Sequence, residues 1–279
     1  MTGIEIEPLG SAAGARIHGV DLSQPLSGNV FGQVRQALLD HLVIFFPDQH
    51  ITPDQHKDFG RRFGTLNIHP HVKPLDGHPE VLNIVKEPTD RFNFGGGWHS
   101  DMTFQQEPAL GSILYAREIP AQGGDTMWAN MYLAYDSLSD GMKQLLRGLV
   151  AIHTAEDIYG AKGIYTDDGR TMQTMAAEQA SGRAEHPVVR SHPETGRKLL
   201  FVNEAFTTKF KGMTRAESQP LLDFLCRHAT SAPFVYRHRW SENEIGFWDN
   251  RCTQHFALND YQGQRRVMHR VTVDGDRPY

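Results

Sequence analysis

The order of strand-like segments constrains the fold more than any other feature of this chain. From about residue 66 onward, apolar runs typical of strands follow one another, among them "GSILYARE", "GGDTMWAN", "IGFWDN" and "QRRVMHRVTVDG". A doubly wound α/β fold requires strands that alternate regularly with helices, and this chain lacks that alternation. An antiparallel β-sandwich or jelly roll with added helices fits the pattern better.

Helical patterns are concentrated near the start and in two later insertions. The segment that begins at Ser27 has apolar residues at helical spacing behind a Ser or Asn cap, and Thr52 precedes a second helix with Pro53 in its first turn. "AYDSLSDGMKQLLRGL" and "TRAESQPLLDFLCRHA" are also typical of helices, and "PETG" is typical of a hairpin turn. Because no repeat or long linker interrupts the chain, we expect one domain over residues 1–279.

Charge and composition exclude several kinds of partner. The formal net charge is −5, so no basic surface for nucleic acid is indicated. No run reaches the ~18 apolar residues of a membrane helix, and the N-terminus does not resemble a secretory signal. Cys226 and Cys252 are too few for a disulfide scaffold. We therefore expect a cytoplasmic protein without a nucleic-acid or membrane partner, and the 15 histidines justify a search for a metal site.

The segment "GGGWHSDMTF" places His99 and Asp101 two residues apart. In an extended segment such residues point the same way, with Cα atoms roughly 7 Å apart, so both side chains can reach one ion. A distant histidine would complete the two-histidine, one-carboxylate triad of non-haem Fe(II) oxygenases. The pair alone is weak evidence, because a loop histidine beside a solvated carboxylate looks the same.

The best candidate for the third ligand is His255, in "WDNRCTQHFALNDY". With it, the chain resembles the taurine dioxygenase family of Fe(II)- and 2-oxoglutarate-dependent enzymes. The resemblance is carried by several motifs in the family's order, which cover nearly the whole chain: "PLGSAAGARIHGVDLSQPLS", "HLVIFFPDQHIT", "WHSDMTF", "GGDTMWAN", "FVNEAFTT", "WDNRCTQH" and "YQGQRRVMHR".

The resemblance implies a double-stranded β-helix (jelly roll) core and a role for each matching residue. It implies that iron is bound by His99, Asp101 and His255. It implies that Thr126 and Arg266 hold the far carboxylate of 2-oxoglutarate. It also implies that the primary-substrate pocket is lined by His69, Phe206 and Arg270. The implied reaction uses Fe(II), 2-oxoglutarate and O2 to hydroxylate a small anionic substrate, with release of succinate and CO2.

The residue pattern of the last strand bears on the two arginines. In "QRRVMHRVTV", alternation puts Arg266 and Arg270 on one face, so the two guanidinium groups point together. We expect this strand to lie beside the one that leads to His255. A planar guanidinium suits a dicarboxylate better than lysine does. The pattern alone, however, favours an arginine face that is simply exposed to solvent, opposite a valine face in the core.

Two positions depart from the taurine enzymes of the family. Val72 stands where those enzymes carry a tyrosine, and Gly95 stands where they carry an asparagine. Both changes remove polar groups from the substrate side, so we expect a roomier, less polar pocket for another sulfonate, an alkyl sulfate or a carboxylate. We expect "TAEDIYGAKGIYTDDGRTMQ" to form a mobile lid.

Two other functions fit parts of the pattern. One is a zinc-dependent hydrolase on a β-sandwich, although the chain has no His-Glu-x-x-His segment and zinc would need no arginine pair. The other is a non-catalytic metal-binding protein, which loss of a metal ligand would favour. We expect a homo-oligomer.

Overall fold

The computed structural model describes residues 4–160, 163 and 182–279. The helices in these ranges are α1 (Gly28–His41), α2 (Pro53–Arg61), α3 (Met131–Asp136), α4 (Asp140–Leu146), α5 (Glu156–Tyr159) and α6 (Arg215–Ala229). The strands are β1 (Glu5–Pro8), β2 (Ala15–His18), β3 (Val43–Phe46), β4 (Pro74–Leu75), β5 (His78–Lys86), β6 (Gly111–Glu118), β7 (Thr126–Asn130), β8 (Val150–Thr154), β9 (Arg183–Pro187), β10 (Val189–Ser191), β11 (Lys198–Leu200), β12 (Thr207–Phe210), β13 (Val235–His238), β14 (Ile245–Asp249), β15 (Thr253–Ala257) and β16 (Arg266–Val273).

The strands form two principal sheets. The larger has the order β1-β2-β3-β14-β6-β16-β5-β4 and is antiparallel except between β2 and β3. A three-stranded sheet, β13-β7-β15, packs on it, since Phe45 and Met268 of the larger sheet share one buried cluster with Trp128 of the smaller. A further sheet, β12-β8-β9, and the β10-β11 hairpin complete the strands of the described chain. The expected mainly β fold with added helices is therefore confirmed.

Local sequence signals determine where the helices begin. The Ser27 side chain accepts a hydrogen bond from the backbone N–H of Val30, and Thr52 and Gln55 form a reciprocal capping box at α2. "AYDSLSDGMKQLLRGL" forms two helices rather than one, because the Ser139 side chain caps α4 and so starts a second helix. No helix of the described ranges is long and apolar enough to cross a membrane.

The strand that carries Arg266 does not lie beside the strand that carries His255, so this expectation is wrong. β15 pairs with β7 in the small sheet, whereas β16 pairs with β5 and β6 in the large sheet. The connection between β15 and β16 crosses from one sheet to the other, and the two residues meet in the space between the sheets.

The arginine face of β16 is not exposed to solvent. Arg266 is 6% exposed and Arg270 is 3% exposed, because the small sheet covers this face. The interpretation that the pattern alone favoured, an arginine face exposed to solvent, is therefore wrong. Residues 161, 162 and 164–181, which contain most of the expected lid, lie outside the described residues.

Candidate metal and cosubstrate site

Two distant segments bring the predicted metal ligands together. His99 and His255 form an isolated antiparallel bridge, in which the N–H of each donates to the carbonyl oxygen of the other over 3.1 and 2.7 Å. Ser100 adds a hydrogen bond from its Oγ to the carbonyl oxygen of Thr253, at 2.7 Å. Asp101 begins a turn, and Met102 follows it with a φ of 58°. The backbone thus reverses at the carboxylate and holds it between the two imidazoles.

The three side chains are spaced for one ion. Oδ1 of Asp101 lies 3.8 Å from Nε2 of His99 and 4.0 Å from Nε2 of His255. All three side chains are buried, and their ligand atoms lie within 4.8 Å of one another. Two imidazole nitrogens and one carboxylate oxygen on one side of an ion are the donor set that suits Fe(II) with open positions.

The tautomer of His99 follows from its hydrogen bond. Nδ1 lies 2.7 Å from the carbonyl oxygen of Gly97, which can only accept, so the proton is on Nδ1. Burial lowers the pKa of His99 and, more strongly, that of His255, so both rings are neutral. Nε2 of His99 therefore presents a lone pair to the space shared with Asp101, as a metal ligand must.

The carboxylate of Asp101 is held by two donors. Oγ of Ser112 donates to Oδ2 at 2.8 Å, and Nη1 of Arg270 donates to Oδ1 at 3.1 Å. Burial opposes ionisation of Asp101, but the charge of Arg270 and the hydrogen bond from Ser112 favour the carboxylate, and the pKa of this carboxyl group is lowered. The carboxylate is therefore ionised and ready to bind a cation.

One asparagine holds the backbone of Asp101. Oδ1 of Asn250 accepts the Asp101 N–H at 2.6 Å, and its Nδ2 donates to the Asp101 carbonyl oxygen at 3.0 Å. Nδ2 also donates to the carbonyl oxygen of Ala109 at 3.1 Å. Asn250 stands in the motif "WDNRCTQH", but no role for it was predicted from the sequence. Its place in that motif was the available signal.

A second buried cluster in the described ranges contains metal-ligand residues, but the negative charge of its carboxylate is already balanced by an arginine. It consists of His192, Asp249 and Cys252. Arg251 donates to both carboxylate oxygens of Asp249, at 2.9 and 2.6 Å, and His192 lies 3.1 Å from Oδ2. Burial raises the pKa of Cys252 well above its ordinary value, so this thiol is a poor ligand. The cluster is thus built around the ion pair of Asp249 with Arg251, which stabilises the turn between β14 and β15.

A small cavity of about 40 Å³ lies beside the triad. Thr126, Arg266 and Arg270 line it together with His99 and His255. Nε and Nη2 of Arg266 have no hydrogen-bond partner among the described residues, although the side chain is buried. Gly124, at φ +72°, passes close to this arginine, since an added Cβ would lie 3.2 Å from its Cδ. A buried guanidinium with free donors is suited to an anion.

A larger cavity of about 640 Å³ is also lined by His99. His69 and Phe206 line it, as the resemblance implied, whereas Arg270 lines only the small cavity. The wall is largely aromatic and includes residues for which no role was predicted from the sequence: Phe92, Phe94, Phe104 and Tyr159. None of the described residues in this wall is a lysine or an arginine. The cavity has the size of an ordinary small-molecule site.

His69 is a neutral donor toward the large cavity. Its Nδ1 accepts the backbone N–H of His71 at 3.1 Å, so the proton of the neutral ring is on Nε2. Burial lowers the pKa of His69 to about 3, and the nearby charge of Arg270 contributes to the same shift. His69 can thus offer an N–H to an anion, but no charge near neutral pH.

The two departures from the taurine enzymes differ in position. Gly95 lines both cavities, at φ +79°, so the absence of a side chain there leaves room beside His99. Val72 is fully buried and does not line either cavity. Of the two positions, only Gly95 bears directly on the shape of the cavity walls.

A two-histidine, one-carboxylate centre between two β-sheets, with a buried arginine beside it, defines the class of mononuclear non-haem metal proteins. Residues 5–272 match the family described as "Taurine catabolism dioxygenase TauD, TfdA family", and the chain belongs to that family.

Three known proteins show how far the similarity extends. An α-ketoglutarate-dependent sulfate ester dioxygenase of Pseudomonas putida is 34% identical over 99% of this chain and 91% of its own length. The crystal structure of a taurine dioxygenase from Burkholderia xenovorans superimposes with a TM-score of 0.84 and 36% identity, covering 99% of this chain and 93% of the other. The crystal structure of AAD-2 with Mn(II) and N-oxalylglycine has a TM-score of 0.79 and 32% identity, over 100% and 99% of the two chains.

Proposed function

We propose that the protein is an Fe(II)- and 2-oxoglutarate-dependent dioxygenase that hydroxylates a small anionic substrate and releases succinate and CO2. The observation that carries this proposal is the buried arginine beside the triad, because Arg266 has two guanidinium nitrogens without a partner in the described chain. A dicarboxylate that reaches from the metal to Arg266 would satisfy them.

Each residue has a role in this proposal. His99, Asp101 and His255 bind Fe(II), and Arg266 and Thr126 receive the far carboxylate of 2-oxoglutarate. His69 orients the primary substrate through Nε2–H, Phe206 packs against it, and Arg270 supplies the positive charge. The bound iron, with 2-oxoglutarate and O2, supplies the oxidising chemistry, and the protein supplies position and a site without bulk water.

The alternatives from the sequence have less support. A zinc-dependent hydrolase would leave Arg266 buried beside the metal without a ligand to bind, which costs free energy. A non-catalytic protein would not need to keep all three ligands and their supporting hydrogen bonds. The Pseudomonas relative is named as a dioxygenase, and the Burkholderia structure likewise.

The large cavity bears on the substrate. Its aromatic wall and its volume of about 640 Å³ favour an anion that carries an apolar tail over one as small and polar as taurine. The relative that acts on sulfate esters supports the same choice. We therefore propose an alkyl sulfate or a sulfonate of similar shape, with the tail along the aromatic wall and the charged group toward His69 and Arg270.

A homologous series tests this proposal. Linear alkyl sulfates of two to eight carbons, and taurine, are incubated with Fe(II), ascorbate and 2-oxoglutarate, and succinate is measured. Each buried CH2 should contribute about 0.8 kcal/mol, so kcat/KM should rise roughly fourfold per carbon until the cavity is full. Activity with zinc and without 2-oxoglutarate would point to the hydrolase. A preference for taurine over every longer substrate would contradict the apolar-tail proposal.

We also propose that residues 1–279 form one domain, since strands from both ends of the chain share the large sheet. The cytoplasmic location and the homo-oligomeric assembly stay predictions from the sequence.

A further inference from the structure

Two buried cations lie side by side next to the small cavity. Lys86 of β5 is directly opposite Arg266 of β16 in the antiparallel register. Residues in such a pair point to the same face of the sheet, with Cβ atoms roughly 5 Å apart. This face is covered, since Lys86 is 3% exposed and Arg266 is 6% exposed. Lys86 is therefore a second positive charge beside the arginine of the proposed cosubstrate site.

The described part of the chain does not neutralise these two charges. Nζ of Lys86, like Nε and Nη2 of Arg266, has no hydrogen-bond partner in the described ranges. Nζ lies 4.7 Å from the centroid of the Tyr261 ring, and such a contact offsets only part of the cost of burying an ammonium group. The carboxylate of Asp125 attracts Arg266 but is already ion-paired with Arg237 at 2.7 Å. Because like charges opposite each other on a sheet repel, the pair is unfavourable until an anion lies beside it.

The small cavity is the place where such an anion can lie. Arg266 lines it, and so does Ile84, which alternation along β5 puts on the same face as Lys86. Lys86 itself does not line the cavity. It therefore acts on a ligand there through its charge and not through a hydrogen bond. In a buried site the effective dielectric constant is low, so a charge is felt beyond contact distance.

We propose that Lys86 is a specificity-determining residue, whose charge adds to that of Arg266 and makes the site select a 2-oxo acid with a second, far carboxylate. This inference rests on the proposed function, because it takes the far carboxylate of 2-oxoglutarate to lie at Arg266. The same arrangement has a cost when no ligand is bound, since the protein then keeps two opposed cations buried. Loss of the Lys86 charge should therefore weaken the cosubstrate and stabilise the ligand-free protein.

The test compares the binding of 2-oxoglutarate with that of 2-oxopentanoate, which keeps the 2-oxo acid group but has a methyl group in place of the far carboxylate. Both are titrated calorimetrically into Mn(II)-loaded protein without O2, so the readout does not depend on turnover. The ratio of their dissociation constants, 2-oxopentanoate over 2-oxoglutarate, measures the preference for the far carboxylate. Lys86→Met keeps an apolar stem and removes the charge, so this ratio should fall by about threefold to thirtyfold.

Lys57 of α2 is the matched control. It is also buried, at 8% exposed, but its Nζ lies 2.9 Å from Asp54 and 3.7 Å from Glu80, so its charge is compensated. Lys57→Met should leave the ratio unchanged. Thermal unfolding without ligand is the second readout: Lys86→Met should raise the Tm, whereas Lys57→Met should not. If Lys86→Met fails to fold, Lys86→Gln supplies a neutral side chain that keeps a polar end.

The outcomes distinguish this inference from the proposed function. If Arg266→Ala leaves the ratio unchanged, the far carboxylate does not lie at Arg266 and the proposed function loses its main support. If Arg266→Ala lowers the ratio but Lys86→Met leaves it unchanged, or weakens both ligands by the same factor, Lys86 has only a packing role and the inference is overturned. A ratio that falls in Lys86→Met and not in Lys57→Met supports it. A lower Tm of ligand-free Lys86→Met would overturn the claim that the two cations destabilise the empty site.

Discussion

Arg270 donates a hydrogen bond from Nη1 to Oδ1 of Asp101 at 3.1 Å, with both side chains at most 5% exposed. The same carboxylate oxygen faces the two imidazoles of the triad. The arginine that the family resemblance assigns to the primary substrate is thus in contact with a proposed metal ligand. In the proposed site, substrate charge, metal affinity and ionisation of this carboxylate would therefore be coupled through one guanidinium group.

Asp101→Ala should abolish metal binding while the fold is retained, because it removes the one anionic ligand between two neutral imidazoles. Titration of Mn(II) into the metal-free protein should show no site. Anaerobic Fe(II) with 2-oxoglutarate should give no visible charge-transfer band, and circular dichroism should be unchanged. Ser112→Ala removes only a donor to Oδ2 and should weaken the metal far less. A metal affinity in Asp101→Ala equal to that of the unmodified protein would end the triad assignment.

The two arginines of β16 should have separable effects. Arg266→Ala should raise the KM for 2-oxoglutarate by about tenfold to a hundredfold, as expected for a hydrogen-bonded charge contact of roughly 1.5–3 kcal/mol. Arg270→Ala should weaken the primary substrate by a similar factor and let 2-oxoglutarate be consumed without hydroxylated product. The measurement pairs succinate with product at several concentrations of both substrates.

Arg265, the residue directly before β16, is the control. It is half-exposed and ion-paired with Glu87 and Glu118 on the other face, so Arg265→Ala should change neither KM. If Arg270→Ala alters only the dependence on 2-oxoglutarate, the roles of the two arginines are exchanged, which its position in the small cavity would then explain.

His69 should contribute a hydrogen bond rather than a charge. His69→Gln retains an N–H donor and should keep most of the affinity for the primary substrate, whereas His69→Phe should lose about threefold to tenfold. KM for the primary substrate is measured for both variants at saturating 2-oxoglutarate. Equal losses in the two variants would show that the donor has no role and that only the imidazole shape counts.

Buried neutral histidines should make the protein sensitive to mild acid. Burial lowers the pKa of His56 and that of His69 to about 3 from an ordinary value of 6.5. Below pH 6.5 the unfolded chain binds protons at these sites and the folded protein does not. The free energy of unfolding should therefore fall by up to about 1.4 kcal/mol per pH unit for each such histidine.

Urea unfolding at pH 7.5, 6.5 and 5.5 measures this dependence. His56→Leu should reduce the slope if the variant folds, while His50→Gln, at an exposed position, should not. A free energy of unfolding that stays constant from pH 7.5 to 5.5 would contradict the prediction.

Local interactions explain what could be predicted from the sequence. Ser27 and Thr52 cap their helices through contacts within three residues, and the hairpin around "PETG" depends on its own turn. The convergence of His99 with Asp101 also depends on neighbours, and motif resemblance supplied His255. Alternation along β16 correctly grouped Arg266 with Arg270 on one face.

Only the tertiary structure decided what covers that face. Strand periodicity predicts which side chains point to the same face, but it does not predict whether a second sheet packs over that face. The hydrogen bonds of Asp101 with Asn250 and with Arg270 join residues at least 149 positions apart in the sequence. The burial of Arg266 depends on strands from two different sheets. No local signal encodes such pairs, because their free energy is gained only when the two sheets close over the space between them.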